Sequence, residues 1–332
     1  MNTTDNYIEP GFLVLQSNKP ENLRYLLTMH LKNNPLSPFE DEIIIVHSNG
    51  MAQWLQYAFA ENDKMGIASS LKMILPSSFI WQIYRAVLGN QGALKIGEKS
   101  HFDKSILVWK LYYLFGSKQF KNLNLKFLND YLNIENFDDT NNNTNNKNKL
   151  NYSRYYLAKT LADIYDQYQV YRGDWLLHWK KYNDYFLGSK EQNLLKDEDK
   201  WQCDLWHYLT QNINNENTDS SQWSRADLHP LFLEKINKLT AKNLITNKIK
   251  LPKRVSVFGI SSLSMQNIDV LYALSKFSQV IICINNPCKY YWADLTNKHY
   301  VSNYYRRNWK ELREKYWNDY NNGKDEDKAS FL

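Results

Sequence analysis

The sequence predicts an α/β protein: a parallel sheet interrupted by a large, mostly α-helical insertion. Three short apolar, largely β-branched runs carry the sheet, at residues 43–46, 254–258 and 280–284. Each is long enough for a buried strand and too short for a helix that stands alone. The first two are followed by polar turn and cap residues and then by apolar residues at helical spacing. Strand–helix–strand order of this kind implies parallel pairing with right-handed crossovers. From about residue 91 to 250 the pattern is helical instead. The chain therefore divides into a first α/β part at 1–90, a helical region at 91–250 and a returning α/β part at 251–332.

In chain order, residues 12–15 form a first strand, and Leu23, Leu26, Leu27, His30 and Leu31 mark the helix after it. The joint between them, QSNKPE, places Pro20 in the first helical turn and Glu21 at its positive end. A nucleoside triphosphatase of this architecture needs glycine amides here to wrap phosphates and a lysine to reach them. The joint has no glycine, and Lys19 alone reads as a surface lysine. The next unit, IIIVHSNGMAQWL, is strand, tight turn and helix, with Ser48 or Asn49 as the helix cap. Ligands of open α/β sheets bind outside the carboxyl ends of the strands, which is where His47, Asn49 and Gln53 fall. An extended segment then runs to Leu75 and a helix with the stripe Ile80, Ile83, Tyr84, Val87 and Leu88. Leu75 and Trp81 are ordinary core residues on composition, although Trp81 lies near the helix start, where a flat ring could stack on a base. Residues 92–100, GALKIGEKS, are one residue too long for a phosphate loop, carry a carboxylate inside it and follow a helix, so they read as a plain loop.

In the helical region, Leu107, Leu111 and Leu114 mark one helix, and Leu157, Leu161, Ile164, Tyr165 and Tyr168 a longer one. Residues 138–149, DDTNNNTNNKNK, and 212–221 read as polar low-complexity loops. On the long helix Asp163 and Asp166 share the face opposite the apolar stripe, and Arg172 follows near its end. A solvated face is the default for such a pair. The alternative is that these carboxylates, Arg172 and the later Arg225 read exposed base edges, since Asp accepts from cytosine and Arg donates to guanine. The α/β pattern then returns with the strand RVSVF, Gly259, a helix marked by Ile268, Leu271 and Tyr272, and a further strand ending in two asparagines where a working motor would carry Asp-Glu for magnesium.

Composition narrows the function classes. Aromatics make up 15% of 332 residues, with 11 Trp and 24 Tyr, more than core packing needs. Lys+Arg 41 against Asp+Glu 35 gives +6, which permits a polyanionic partner without demanding one. No apolar run approaches the ~20 residues of a membrane span, and MNTTDNYIEP lacks the regions of a signal peptide, so a soluble cytoplasmic protein is expected. Cys203, Cys283 and Cys288 form no metal spacing and read as structural thiols. No catalytic group, cofactor or metal site is expected.

HSNGMAQWLQ, LPSSFIW, DQYQVYRGDW, FGISSLS and NPCKYYW, in this order, closely resemble the N-terminal part of the RecC family, the gamma chains of exodeoxyribonuclease V. The resemblance implies a parallel sheet of superfamily 1 helicase-like type whose ATPase motifs are lost. It implies a non-catalytic subunit of a RecBCD-type helicase-nuclease that threads the 3′-ended single-stranded DNA and scans it for a Chi-like sequence during double-strand break repair, with RecB-like and RecD-like partners supplying motors and nuclease. By the same resemblance the DNA-binding residues are His47, Asn49, Gln53, Leu75, Trp81, Asp163, Ile164, Asp166, Arg172 and Arg225, the last in QWSRADL. His47 and Asn49 stand where the family more often has Gln and Thr, and direct readout depends on donor and acceptor placement. Family members are far longer, so the chain is expected to be a fragment or truncated product. The competing readings are a scaffold piece that docks motor subunits without touching DNA and, against the glycine-free first joint, an ATP-driven helicase.

Overall fold

The structure, a computed structural model, describes residues 8–286 except 38, 62–65, 90–93, 124, 133–143, 183–184, 186, 188–193, 216–221, 241–243, 245 and 247–248. Five strands form one all-parallel sheet: β1 (Gly11–Ser17), β2 (Glu42–Val46), β3 (Leu71–Ile74), β4 (Arg254–Phe258) and β5 (Gln279–Asn285). Their order is β1-β5-β4-β2-β3, so the connection from β1 to β2 passes over the two positions filled by β5 and β4. The strand at 71–74 was anticipated only as extended chain.

Alternation along the strands decides which helices cover which face. Ile44, Val46, Phe258, Ile281 and Cys283 point to one side, against Leu23, Leu27 and Leu31 of α1 (Pro20–Asn33) and Leu55 and Phe59 of α2 (Asn49–Ala60). Ile45, Ile74, Val255, Val257, Val280 and Ile282 point to the other, against α3 (Pro76–Leu88), α10 (Arg225–Lys238) and α11 (Met265–Leu274). Covering both faces is what lets these strands be apolar throughout. The helix α3 starts with proline in its first turn, where the missing N–H costs nothing, and buries Phe79, Ile80, Trp81, Ile83, Tyr84, Val87 and Leu88.

Between α3 and α10 the chain builds a second core. It comprises α4 (Lys104–Phe115), α5 (Lys118–Asn122), α6 (Lys126–Leu132), α7 (Thr144–Tyr171), α8 (Gly173–Tyr182) and α9 (Lys200–Asn215). Leu107, Leu111, Leu161, Tyr165, Trp179, Leu205 and Trp206 lie at its centre. The last helix of the region, α10, begins with a capping box in which Ser224 and Asp227 satisfy each other's backbone N–H, and Lys180 holds Asp227 at 3.0 Å.

Three expectations are corrected. Residues 144–149 and 212–215, expected as polar loop, are helical: once a helix is nucleated each added residue needs little, and buried Ile213 anchors the end of α9. In α11 the buried face is Val270, Leu271, Ala273 and Leu274, while Ile268 and Tyr272 are exposed, because the sequence is apolar on both sides of the helix. Asp163 and Asp166, expected as a solvated face, are partly exposed, at 39% and 30%, but both are ion-paired with other helices. The thiols Cys203 and Cys283 form no disulfide and are buried, and burial pushes the Cys283 thiol up to about 12. Cys288, the NPCKYYW segment and the charged residues after it lie outside the described residues. No helix among the described residues is long and apolar enough to cross a membrane.

Candidate nucleic-acid interface

The carboxyl edge of the sheet gathers the first group of predicted residues. After β2 the chain turns at exposed His47, and Ser48 caps α2 by accepting from the Met51 N–H at 3.3 Å. Asn49 and Gln53 are both exposed, one turn apart on the first turns of α2. Strand β3 pairs Ile74 with Ile45, so Leu75, 42% exposed, emerges beside the end of β2. At the end of β4, Gly259 has φ +67°, and a Cβ there would lie 2.9 Å from the Met51 side chain, so a glycine lets α2 close against this edge.

A polar cleft of about 440 Å3 continues from this edge along α3. Ser77, Ser78, Gln82 and Arg85 of α3 line it together with Glu98, Lys99, Asp103 and Arg225. Trp81 is part of the cleft wall but only 8% exposed, its Nε1–H donating to the Gly97 carbonyl at 3.1 Å. The ring belongs to the core and offers the cleft little of its face.

Arg225 is the hinge between the cleft and the long helix. Its Nη2 donates to Asp166 Oδ1 at 2.7 Å and lies 3.6 Å from Asp103, while its backbone N–H donates to Gln169 Oε1 at 3.3 Å. Asp163 is ion-paired with Lys104. The two carboxylates are thus both engaged by cations from other helices, and Asp166 and Arg225, both expected to contact bases, are paired with each other. Ile164, between them, packs against the helical core. Arg172, past the end of α7, is exposed; it lies 5.3 Å over the Trp175 ring and donates to the Tyr171 carbonyl at 3.0 Å.

The end of α7 is tied to the sheet edge. Gln266, in the first turn of α11 beyond β4, donates to the Gln169 carbonyl at 2.9 Å. A Cβ on Gly173 would lie 3.1 Å from Gln266 Nε2 and 3.4 Å from Ala226, so this residue permits the close approach of α8, α10 and α11. The structure therefore brings Trp81 and Arg225 to one cleft, with Asp166 paired to Arg225. It places His47, Asn49, Gln53 and Leu75 on the adjoining sheet edge, and Arg172 beyond the tie at Gln169. Sequence reasoning missed Ser78, Gln82, Arg85 and Asp103. The first three recur at helical spacing on the polar side of α3, a signal that was present; Asp103, the residue before α4, carried none.

Among the described residues no group of three or more His, Cys, Asp or Glu side chains is placed to hold a metal ion. At the first joint Lys19 is exposed and its N–H donates to Ser17 Oγ at 3.2 Å.

Comparison with known proteins identifies the family. Residues 12–325 match the family model described as RecC, N-terminal domain. The chain is 33% identical over 290 residues to the RecBCD enzyme subunit RecC of Escherichia coli, covering 87% of this chain and 23% of that protein. It is 31% identical over 299 residues to the Haemophilus influenzae subunit of the same name, covering 86% and 24%. The corresponding protein of Buchnera aphidicola from Schizaphis graminum is 24% identical over 282 residues. The chain spans about a quarter of the length of these curated relatives, 22–24%. A match that runs through nearly the whole sequence shows that the chain belongs to the RecC family, whose N-terminal domain it represents.

Proposed function

We propose that this chain is a non-catalytic DNA-binding part of a RecBCD-type helicase-nuclease, contacting the 3′-ended single strand as it is threaded and read for a Chi-like sequence. RecB-like and RecD-like subunits supply ATP hydrolysis and strand cleavage. In this reading residues 1–90 and 251–332 belong to a helicase-like α/β domain without its ATPase motifs, and 91–250 is the helical insertion. The observation that supports it is the cleft lined by Arg225 and Asp103 beside the Trp81 wall, with Asp166 of the long helix holding Arg225. A single strand has bases to splay into such a cleft and phosphates for Arg85 and Lys99.

The test is fluorescence anisotropy of the purified chain with single-stranded oligonucleotides in rising salt, beside an ATPase assay. Affinity that falls with salt, weakens in Arg225→Ala and comes without DNA-stimulated ATP hydrolysis supports the reading. Unchanged affinity in that variant removes the cleft from it. One observation favours the scaffold alternative: β1 is paired only with β5 among the described strands, and its Phe12, Leu13 and Val14 are exposed, an apolar edge suited to another protein. Co-purification with motor subunits, with no crosslink to DNA, would decide for it.

A further inference from the structure

A second surface, outside the cleft, has the chemistry of a polynucleotide track. The helix α4, KSILVWKLYYLF, is apolar nearly all round, yet it is not enclosed: Trp109 is 53% and Tyr113 73% exposed. Beside it α7 presents Tyr152, 72% exposed, with Tyr155 and Tyr156. The Trp109 ring centroid lies 5.9 Å from that of Tyr155, so the two helices share one aromatic face. On its other flank Trp109 opens onto a groove of about 550 Å3 between α4 and α9, lined among others by Lys110, Tyr113, Gln119 and Asn212. Buried packing does not account for this many rings turned to solvent.

Charge separates nucleic acid from protein as the occupant. Residues 104–120 and 148–162 contain no Asp or Glu, but they contain Lys104, Lys110, Lys118, Lys149, Arg154 and Lys159. Lys104 is ion-paired with Asp163, and the other five positive charges lie in acid-free sequence. Stacking faces set among acid-free basic residues suit a single strand, whose bases need rings and whose phosphates need cations. The surface also adjoins the cleft. Asp103, on the cleft wall, immediately precedes α4, and helical rise puts Trp109 about 9 Å and Tyr113 about 15 Å farther along. Lys104 pairs with Asp163 where the two surfaces meet.

We infer that the face shared by α4 and α7, with the α4–α9 groove, is a sequence-independent binding site for single-stranded polynucleotide, gripping by stacking and charge where the cleft reads by hydrogen bonds. The site stands on observations separate from those at the cleft and holds whether or not the cleft binds DNA.

The test uses the full chain and a short oligothymidylate, with anisotropy titrations, peptide mapping of photocrosslinks and far-ultraviolet circular dichroism on each variant. Tyr113→Ala and Tyr152→Ala, both largely exposed, are expected to keep the helical signal and weaken binding roughly five- to hundredfold each. Tyr113→Phe, which keeps the ring, restores it. Lys159→Gln reduces the salt slope by about 0.7, one phosphate contact on a single strand. Crosslinks fall on peptides containing Trp109 or Tyr152 and persist in Arg225→Ala, which separates this site from the cleft. Parental affinity in folded Tyr113→Ala and Tyr152→Ala, or crosslinks confined to peptides of the Trp81 cleft, overturns the inference. So does loss of motor-subunit association in these variants with DNA affinity unchanged, which would make the face a protein interface.

Discussion

The two ends of the sheet are built on opposite principles. At the amino end Arg254, fully buried at the start of β4, donates to Glu42 at 2.7 Å, to Gln279 at 2.8 Å and to the Asn34 carbonyl at 2.6 Å. Gln279 Oε1 also meets His30 Nε2 at 3.0 Å; an oxygen that only accepts requires that nitrogen to carry the proton. Each nitrogen of the Arg254 guanidinium is answered by a group from the same fold, joining the starts of β2, β4 and β5 to the end of α1. At the carboxyl end His47, Asn49 and Gln53 face solvent, and the cleft beyond them holds donors and acceptors at its surface. One end is closed by bonds within the fold, and the other leaves its polar side chains exposed.

The contrast is sharpest in what removal costs. Arg254→Ala breaks the buried pair with Glu42 and removes the bonds to Gln279 and Asn34, and is expected to lower stability by about 3–5 kcal/mol, read as the denaturant midpoint, with whatever DNA affinity survives arising from folded molecules alone. At the other end Arg225→Ala is expected to weaken single-strand binding about tenfold, or ~1.4 kcal/mol, in anisotropy titrations. Its effect on stability is smaller, because the Asp103 and Asp166 carboxylates it leaves are partly exposed and can be hydrated. If the two substitutions instead cost the same stability, the carboxyl end is as structural as the amino end and the comparison fails. Trp81→Ala cannot discriminate, since removing a buried Trp costs about 3–5 kcal/mol by itself.

What was legible in the sequence follows the range of the interactions. The run 43–46 and the bounds of β4 could be read because β-branched residues between turn formers report burial on both faces within a few positions. Ser48 as cap could be read because its partner, the Met51 N–H, is three residues away. The partners of Asp163 and Asp166 are Lys104 and Arg225, 59 and 59 residues distant, and no spacing rule reaches that far. The helical residues 144–149 were misread because asparagine-rich composition predicts a segment's own preference, whereas a continuing helix supplies its next turn cooperatively. The role of Trp81 as wall and core at once depends on the Gly97 carbonyl, 16 residues on, and on α10 closing over α3.

The smallest effects separate the regions by the sign of their pH response. Burial pushes the Glu42 carboxyl from 4.5 up to about 7, with Arg254 pulling it down. Between those values the folded chain holds a proton that the unfolded chain has lost, so the amino-end contribution declines as pH rises from 4.5 to about 7. Between α3 and α10 the sign reverses. Tyr84, kept protonated by burial, donates to His229 Nδ1 at 2.9 Å, and burial holds that imidazole below its ordinary value of 6.5. Here the unfolded chain binds the extra proton, so this contribution is complete above 6.5 and is lost as pH falls below it. Denaturant midpoints measured across this range should lose the first slope in Glu42→Gln and the second in His229→Gln. Tyr84→Phe, which removes only the donor, should cost about 1 kcal/mol at neutral pH. A single shared slope that survives both substitutions would mean that neither group titrates with folding, and the opposed chemistry of the two regions would have to be sought elsewhere.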